Sequence, residues 1–306
     1  MPPLSIDDGC LRLSVLPEAG ASMISLETRL SGGSGEWVEI MRPTPAAAVA
    51  AGNSSLFANF ALLPWSNRVR GAHFSFEGRE IRLRANTGDG HAIHGDVRKR
   101  PWKTIESTPA RLRFTLESRD FADVNFPFPF AASLDYTVAG GTLEMRLGVV
   151  NRGGSAMPAG LGFHPYFRRA LRPVGDRARL DFRATGLYRG LLPVTAAGPV
   201  GEGFDFSTTR PFGDATFDHC YAGWDGRATI AWPDSRITAT IDASEPFRHL
   251  VLYVPPGEDF FAVEPVSNAN DGFNLLAAGV AGSGVRVLLP GESLEGTVRI
   301  VVEVPA

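Results

Sequence analysis

Apolar and polar residues alternate over several stretches of the chain: Leu11, Leu13 and Val15; Leu180 and Phe182; Ile237 and Ile241 within RITATID; Val298, Ile300, Val302 and Val304. Successive side chains on a strand point to opposite faces, so a period of two marks strands with one face buried and one wet. Segments such as SGGSGE, NTGDG, NRGGS and PPGED separate these runs, and the 34 glycines and 23 prolines serve as turn makers. Many short strands with frequent turns predict an all-β sandwich or barrel. Helical periodicity is nearly absent. The one candidate is a short helix within Asn53 to Leu63, where an Asn/Ser cap precedes Leu56, Phe57 and Phe60. No composition break, linker, charge run or repeat divides the chain, which predicts a single domain over residues 1–306.

Composition narrows the partners. With 44% hydrophobic residues the chain can bury a large core, and its formal net charge of −3, with the basic residues dispersed, lacks the footprint of a nucleic-acid or anionic-membrane binder. The N-terminus MPPLSIDDGC has no basic region followed by an apolar run, and no stretch approaches the roughly 20 apolar residues that span a bilayer. A soluble, cytoplasmic protein without membrane contact is expected, as a monomer or homodimer. Cys10 and Cys220 are too few and too far apart for a disulfide framework or a thiolate metal site, and read as small apolar residues.

Candidate chemistry concentrates in a few segments. Of six histidines (73, 91, 94, 164, 219 and 249), three lie in loop-like contexts: His91 and His94 in NTGDGHAIHGD, and His164 in GLGFHPYF. The glycines allow sharp turns and close approach of a ligand. LLPWSNRVRGAHF sets Asn67, Arg68 and Arg70 beside Trp65, and donors next to a flat apolar face suit a sugar ring, whose edges carry hydroxyls and whose faces carry C–H groups. The bland reading is a turn with solvated arginines. In FFAVEPVSNANDGFN an apolar run delivers Glu264 to a strand end, followed by a loop with Pro265, Ser267, Asn268 and Asn270. An acid in an apolar setting gains basicity and suits general-base work, although a carboxylate capping the next turn would look the same. FDHCYAGWDG holds Asp218 and His219 with Tyr221 and Trp224 nearby, a second acid in an aromatic setting.

Five ordered segments, PWSNRVRGAHFSFEG, HAIHGD, GFHPYF, FDHCYAGWDG and VEPVSNANDGFN, resemble the aldose 1-epimerase (galactose mutarotase-like) family, and the resemblance runs over most of the chain. It implies a large antiparallel β-sandwich and an enzyme that interconverts the α and β anomers of a free aldose. By the same resemblance Glu264 is the general base and His164 the general acid, while His94, Arg68, Asp218 and Asn67 bind the substrate. The departures are the loop after Glu264, EPVSNANDGFN in place of an EPQ-type loop, and the short spacing between segments. As that loop is expected to border the sugar, the identity of the aldose stays open.

Mutarotation requires one proton removed from the anomeric O1 hydroxyl and one delivered to the ring oxygen O5. The expected reaction therefore needs one base, one acid and no cofactor or metal. A neighbouring carboxylate is expected to increase the protonated fraction of His164. Four rival readings attach to the same residues. His91 and His94 have an H-x-x-H spacing that, with His164, could hold a metal. Glu264 and Asp218 could form the carboxylate pair of a glycoside hydrolase or lyase. Arg68, Arg70, Arg168 and Arg169 could serve a hexose-phosphate epimerase. A non-catalytic sugar-binding or regulatory protein could keep the pocket without turnover.

Overall fold

Residues 2–29, 35–172 and 175–304 are described by the computed structural model. Two large antiparallel sheets dominate. In the longer-stranded one, nine strands run in the order Lys103–Ser107, Arg111–Glu117, Phe130–Ala139, Thr142–Asn151, Ser293–Glu303, Ile237–Ala243, Arg227–Trp232, Arg179–Phe182 and Arg210–Pro211. Leu294, Val298, Ile300 and Val302 are buried between exposed or half-buried neighbours, as their alternation predicts. A four-stranded sheet built from Leu4–Asp7, Leu11–Leu16, Ser22–Arg29 and Trp37–Glu39 completes the N-terminal part.

The second large sheet orders Gly186–Leu187, Phe217–Ala222, His249–Val254, Phe260–Val266, Gly162–Phe163 and Ala61–Leu62, with Tyr166–Arg168 also paired to Phe260–Val266. Its central strands are buried on both faces. Leu250, Leu252, Phe261 and Val263 join Leu134, Leu147, Val298 and Ile300 of the nine-stranded sheet in the main apolar core. The opposite face, with Val251, Ala262 and Val266, packs into a smaller cluster with Phe60, Leu62 and Tyr166. Burial of this order contributes about 25 cal/mol per Å² of apolar surface and fixes which residue parity faces the core.

Helix is scarce and lies elsewhere than expected. The segment from Asn53 to Leu63 forms only a 3₁₀ turn at Ser54–Leu56 and a two-residue strand at Ala61–Leu62, while the α-helices are Ala46–Ala50 and Gly272–Ala277. Phe57 and Phe60 are drawn into different apolar clusters, so tertiary packing overrides the weak local pattern. Of the turn segments, SGGSGE falls largely outside the described residues. No helix among the described residues is long and apolar enough to cross a membrane.

Candidate active site

Strand Phe260–Val266 carries Glu264 in its interior, and the strand continues through Pro265 to Val266 instead of ending at the carboxylate. Its register with the chain on one side is Gly162 to Val266 and Tyr166 to Ala262, which places His164 opposite Glu264. The ladder is interrupted between those pairs, where Pro165 and Pro265 have no N–H to donate. His164 instead donates its backbone N–H to the Phe60 carbonyl at 3.0 Å, and Tyr166 donates to Ala58 at 2.9 Å. The interruption leaves the two side chains facing each other, His164 Nε2 lying 3.2 Å from Glu264 Oε1.

On the other side of Glu264 the registers are Val251 to Glu264 and Cys220 to Val251, then Tyr253 to Ala262 and Asp218 to Tyr253. Two adjacent cross-strand rows therefore share one face: Tyr166, Ala262, Tyr253 and Asp218, then His164, Glu264, Val251 and Cys220.

A two-stranded ribbon forms the facing wall. Arg68–Val69 pairs with Ala92–Ile93, and His94 donates its N–H to the Asn67 carbonyl at 3.0 Å. Asn67 and His94 both have left-handed backbone conformations, φ 53° and 63°, unfavourable for residues with a Cβ and frequent at binding sites. Gly95 follows at φ 65°, where a Cβ would stand 2.0 Å from the Leu63 carbonyl oxygen. Only glycine fits that approach.

Sheet and ribbon enclose a cavity of about 230 Å³ lined by Asn67, Arg68, Ile93, His94, His164, Tyr166, Asp218, Tyr253 and Glu264. The six residues to which the family resemblance gives site roles, Asn67, Arg68, His94, His164, Asp218 and Glu264, all line it. Glu264 is 2% exposed, His164 5% and His94 8%. Buried polar atoms without a hydrogen-bond partner include Glu264 Oε2, His164 Nδ1, His94 Nδ1 and Arg68 Nε. Such atoms are costly unless a ligand or water completes them. Arg68 Nη1 lies 4.0 Å from Asp218 Oδ2 and its Nε lies 3.9 Å from Asp89 Oδ2, while its backbone N–H donates to Asn67 Oδ1 at 2.8 Å.

Burial governs the protonation of this site. It pushes Glu264 well above the ordinary carboxylate value, an effect reinforced by Asp218 and opposed by Arg68. Burial likewise holds His164 well below the usual imidazole value, and Arg42 and Arg98 push it further down. His94 is lowered by burial, then by His164, Arg98 and Arg68, and Asp218 is raised by burial against the pull of Arg68. The carboxylate expected to favour protonated His164 is present, but desolvation outweighs it.

Several expectations fail on geometry. His91 turns away from the cavity and accepts the Gly71 N–H at Nδ1, 2.9 Å, so the H-x-x-H spacing does not bring it together with His94 and His164. No group of three His, Cys, Asp or Glu among the described residues is placed to hold a metal ion. Trp65 is 1% exposed and packs against Phe126 and Phe273 in the core. Tyr221 and Trp224 also join the core, donating to the Phe204 and Arg227 carbonyls. The aromatic walls are Tyr166 and Tyr253, which sequence reasoning did not single out. Tyr166 stood two residues from His164, whereas nothing marked Tyr253.

Of the four arginines considered for a phosphate, only Arg68 lines the cavity. Arg70 pairs with Asp271 at 3.1 Å, and Arg168 and Arg169 line a separate depression with Glu258 and Asp259. The loop after Glu264 does not border the cavity. Asn268 Oδ1 accepts the Ser66 N–H at 3.1 Å, and Asp271 donates its N–H to the Arg68 carbonyl at 2.8 Å, so this loop ties down the ribbon.

Comparison with known proteins agrees with this architecture. The family model described as aldose 1-epimerase matches residues 3–301. YphB of Escherichia coli K12, an uncharacterized protein, is 26% identical over 310 residues, covering 98% of both chains. A crystal structure from E. coli K12 superposes with a TM-score of 0.83 at 24% identity over 99% of both chains. An aldose epimerase homologue from C. elegans gives 0.82 at 17% identity, covering 100% of this chain and 99% of the other. At these identities the structural likeness speaks for the fold. The match of the family model across nearly the whole sequence places this chain in the aldose 1-epimerase family.

Proposed function

We propose that the cavity binds a free aldose and interconverts its α and β anomers by opening and reclosing the ring. The observation that carries this reading is the contact of His164 with Glu264, 3.2 Å apart in a cavity edged by unpartnered polar atoms. Glu264 takes the proton from the anomeric O1 hydroxyl as the C1=O bond forms. The C1–O5 bond breaks and O5 receives a proton from His164. Rotation about C1–C2 turns the other face of the aldehyde to O5, and closure returns both protons along the same routes.

One proton shared by the pair suffices. The ionic form, carboxylate with imidazolium, is set for ring opening, and the neutral form, carboxylic acid with imidazole, is the state left behind and set for closure. Burial disfavours the ionic form, bringing the two states closer in energy. A base and an acid of matched strength each contribute about 10²–10⁴-fold, and holding the sugar between them adds an orientation term. His94, Arg68, Asp218 and Asn67 hold the hydroxyls, and Tyr166 and Tyr253 flank the ring. A cavity with one arginine and two acids suits an uncharged sugar better than a sugar phosphate.

A polarimetric panel of free aldoses and sugar phosphates tests the reading. Glu264→Gln is expected to abolish anomerisation of the preferred free aldose while retaining its binding. A variant with near-normal rates would sink the assignment.

A further inference from the structure

Two buried arginines outside the cavity bear on the same histidine. The His164 ring lies between two aromatic rings, stacked on Tyr166 at a centroid distance of 4.3 Å and tilted by 39° against Phe60 at 4.9 Å. Each ring is backed by a guanidinium, Arg42 3.6 Å over Tyr166 and Arg98 5.3 Å over Phe60. Arg42 is 9% exposed and Arg98 8% exposed, and neither has a carboxylate within ion-pairing distance among the described residues. A buried cation without a counter-ion is costly, so its presence calls for a reason.

Both arginines are aimed by one short segment. Arg42 Nη2 donates to the Ser55 carbonyl at 3.0 Å and also to the Phe57 carbonyl, while Arg98 Nη1 donates to Ser55 Oγ at 2.6 Å. The Arg42 backbone N–H donates to the Tyr166 carbonyl at 2.9 Å, fixing the stack from the main chain as well. Ser55 lies in the 3₁₀ turn that precedes Phe60, so the turn holds both cations while the following residues hold one face of the imidazole.

We propose that Arg42 and Arg98 are positioning residues, a cationic bracket that clamps His164 between Tyr166 and Phe60 and disfavours a charge on its ring in the empty site. The remaining groups around His164 are Glu264 in contact, the Tyr166 hydroxyl at 3.3 Å from Nε2, and His94 at a centroid distance of 5.1 Å. Arg68 and Asp218 lie on the cavity wall beyond them, and Glu258 and Tyr253 act on Arg42 from farther away. Glu264 is the contact that favours an imidazolium, and the bracket opposes it. The inference rests on the anomerase reading for its purpose, since it favours the neutral form of the pair, but its geometry is independent of the reaction.

Side-chain histidine NMR of the sugar-free protein tests it, with the His164 signal assigned by its loss in His164→Asn. In Arg42→Met the His164 titration is expected to move to higher pH by about one unit, the scale of a removed neighbouring like charge, and Arg42→Lys is expected to restore it. Arg98→Met reads the same effect from the opposite ring if Arg42→Met folds poorly. An unmoved midpoint in a folded methionine variant, or a shift that lysine does not reverse, overturns the bracket. Because no sugar is present, a moved midpoint without anomerisation of any aldose would fault the proposed reaction alone, and anomerisation with an unmoved midpoint would fault the bracket alone.

Discussion

Asp218 and Arg68 face each other across the mouth of the cavity with Oδ2 and Nη1 4.0 Å apart, close enough to attract and too far to hydrogen-bond. An open pair of this kind can accept a hydroxyl between its partners. Asp218→Asn keeps the shape and removes the charge. A loss of about 1.5–3 kcal/mol is expected, the range for a hydrogen bond to a charged group, or roughly 10–100-fold in kcat/KM carried mainly by KM. Steady-state polarimetry decides, and an unchanged kcat/KM removes Asp218 from the binding set.

His94 bridges two roles. Its Nδ1 is buried without a partner, and its ring meets His164 edge to face at 5.1 Å. His94→Ala should weaken sugar binding and turnover together, by about tenfold or more, because it removes a hydrogen bond and loosens the acid. Binding by calorimetry beside kcat separates the two effects. A change in KM alone would leave His94 as a binding residue with no hold on His164.

The His164–Glu264 pair titrates as a unit. With one proton it is neutral overall, with two it is positive and with none negative. Burial penalises both charged states, consistent with the raised Glu264 and the lowered His164. The window of the neutral one-proton form is bounded by the two shifted groups. Its acid limit falls below the ordinary imidazole value of 6.5, and its alkaline limit rises above the ordinary carboxylate value of 4.5. The profile of kcat/KM should stay flat as pH falls through 6.5. A loss of activity centred there would contradict the shared-proton description.

Stability carries opposite signs at the two partners. Buried His94, His164 and His249 have lowered values, so their contribution is present above 6.5 and is lost as pH falls through the lower folded values. Glu264 has a raised value, so its contribution is present below 4.5 and is lost as pH rises through the higher folded value. At neutral pH the buried acid is thus a destabilising element, and Glu264→Gln should raise the melting temperature by about 2 °C or more, the shift that roughly 1 kcal/mol produces in a chain of this size. Calorimetry at neutral pH reads it. A lower melting temperature would mean that the contact with His164 outweighs the burial of the charge.

What could be read from the residues depended on where they face. Strands such as Ser293–Glu303 separate core from solvent, and their alternation declares them. Strand Phe260–Val266 is buried on both faces and gives only an apolar run, so its end was misplaced at Glu264. The polar lining of the candidate cavity was legible because His94, His164, Arg68, Asp218 and Glu264 fall in distinctive segments. The walls were not, since an aromatic beside a polar motif can turn either way: Trp65 turns into the core, while Tyr166 turns to the cavity. Tyr253 is set by register with Asp218 and Ala262, pairings between strands that local sequence does not encode. The loop after Glu264 was expected to be a rim by resemblance, yet Asn268 and Asp271 are committed to residues about 200 positions earlier and Asn270 donates to the Leu191 carbonyl.

Those contacts have a temporal side. Ser66 and Asn268 are 202 positions apart, and their hydrogen bonds join the ribbon to the sheet that bears the acids. A growing polypeptide therefore leaves the ribosome with its arginine and both cavity histidines long before the strand that opposes them, and until that strand arrives there is no enclosed chamber in which a sugar could be held. The chamber is a late event in synthesis, and a fragment ending before Phe260 would lack the wall that carries Glu264 even if its first sheets had already formed.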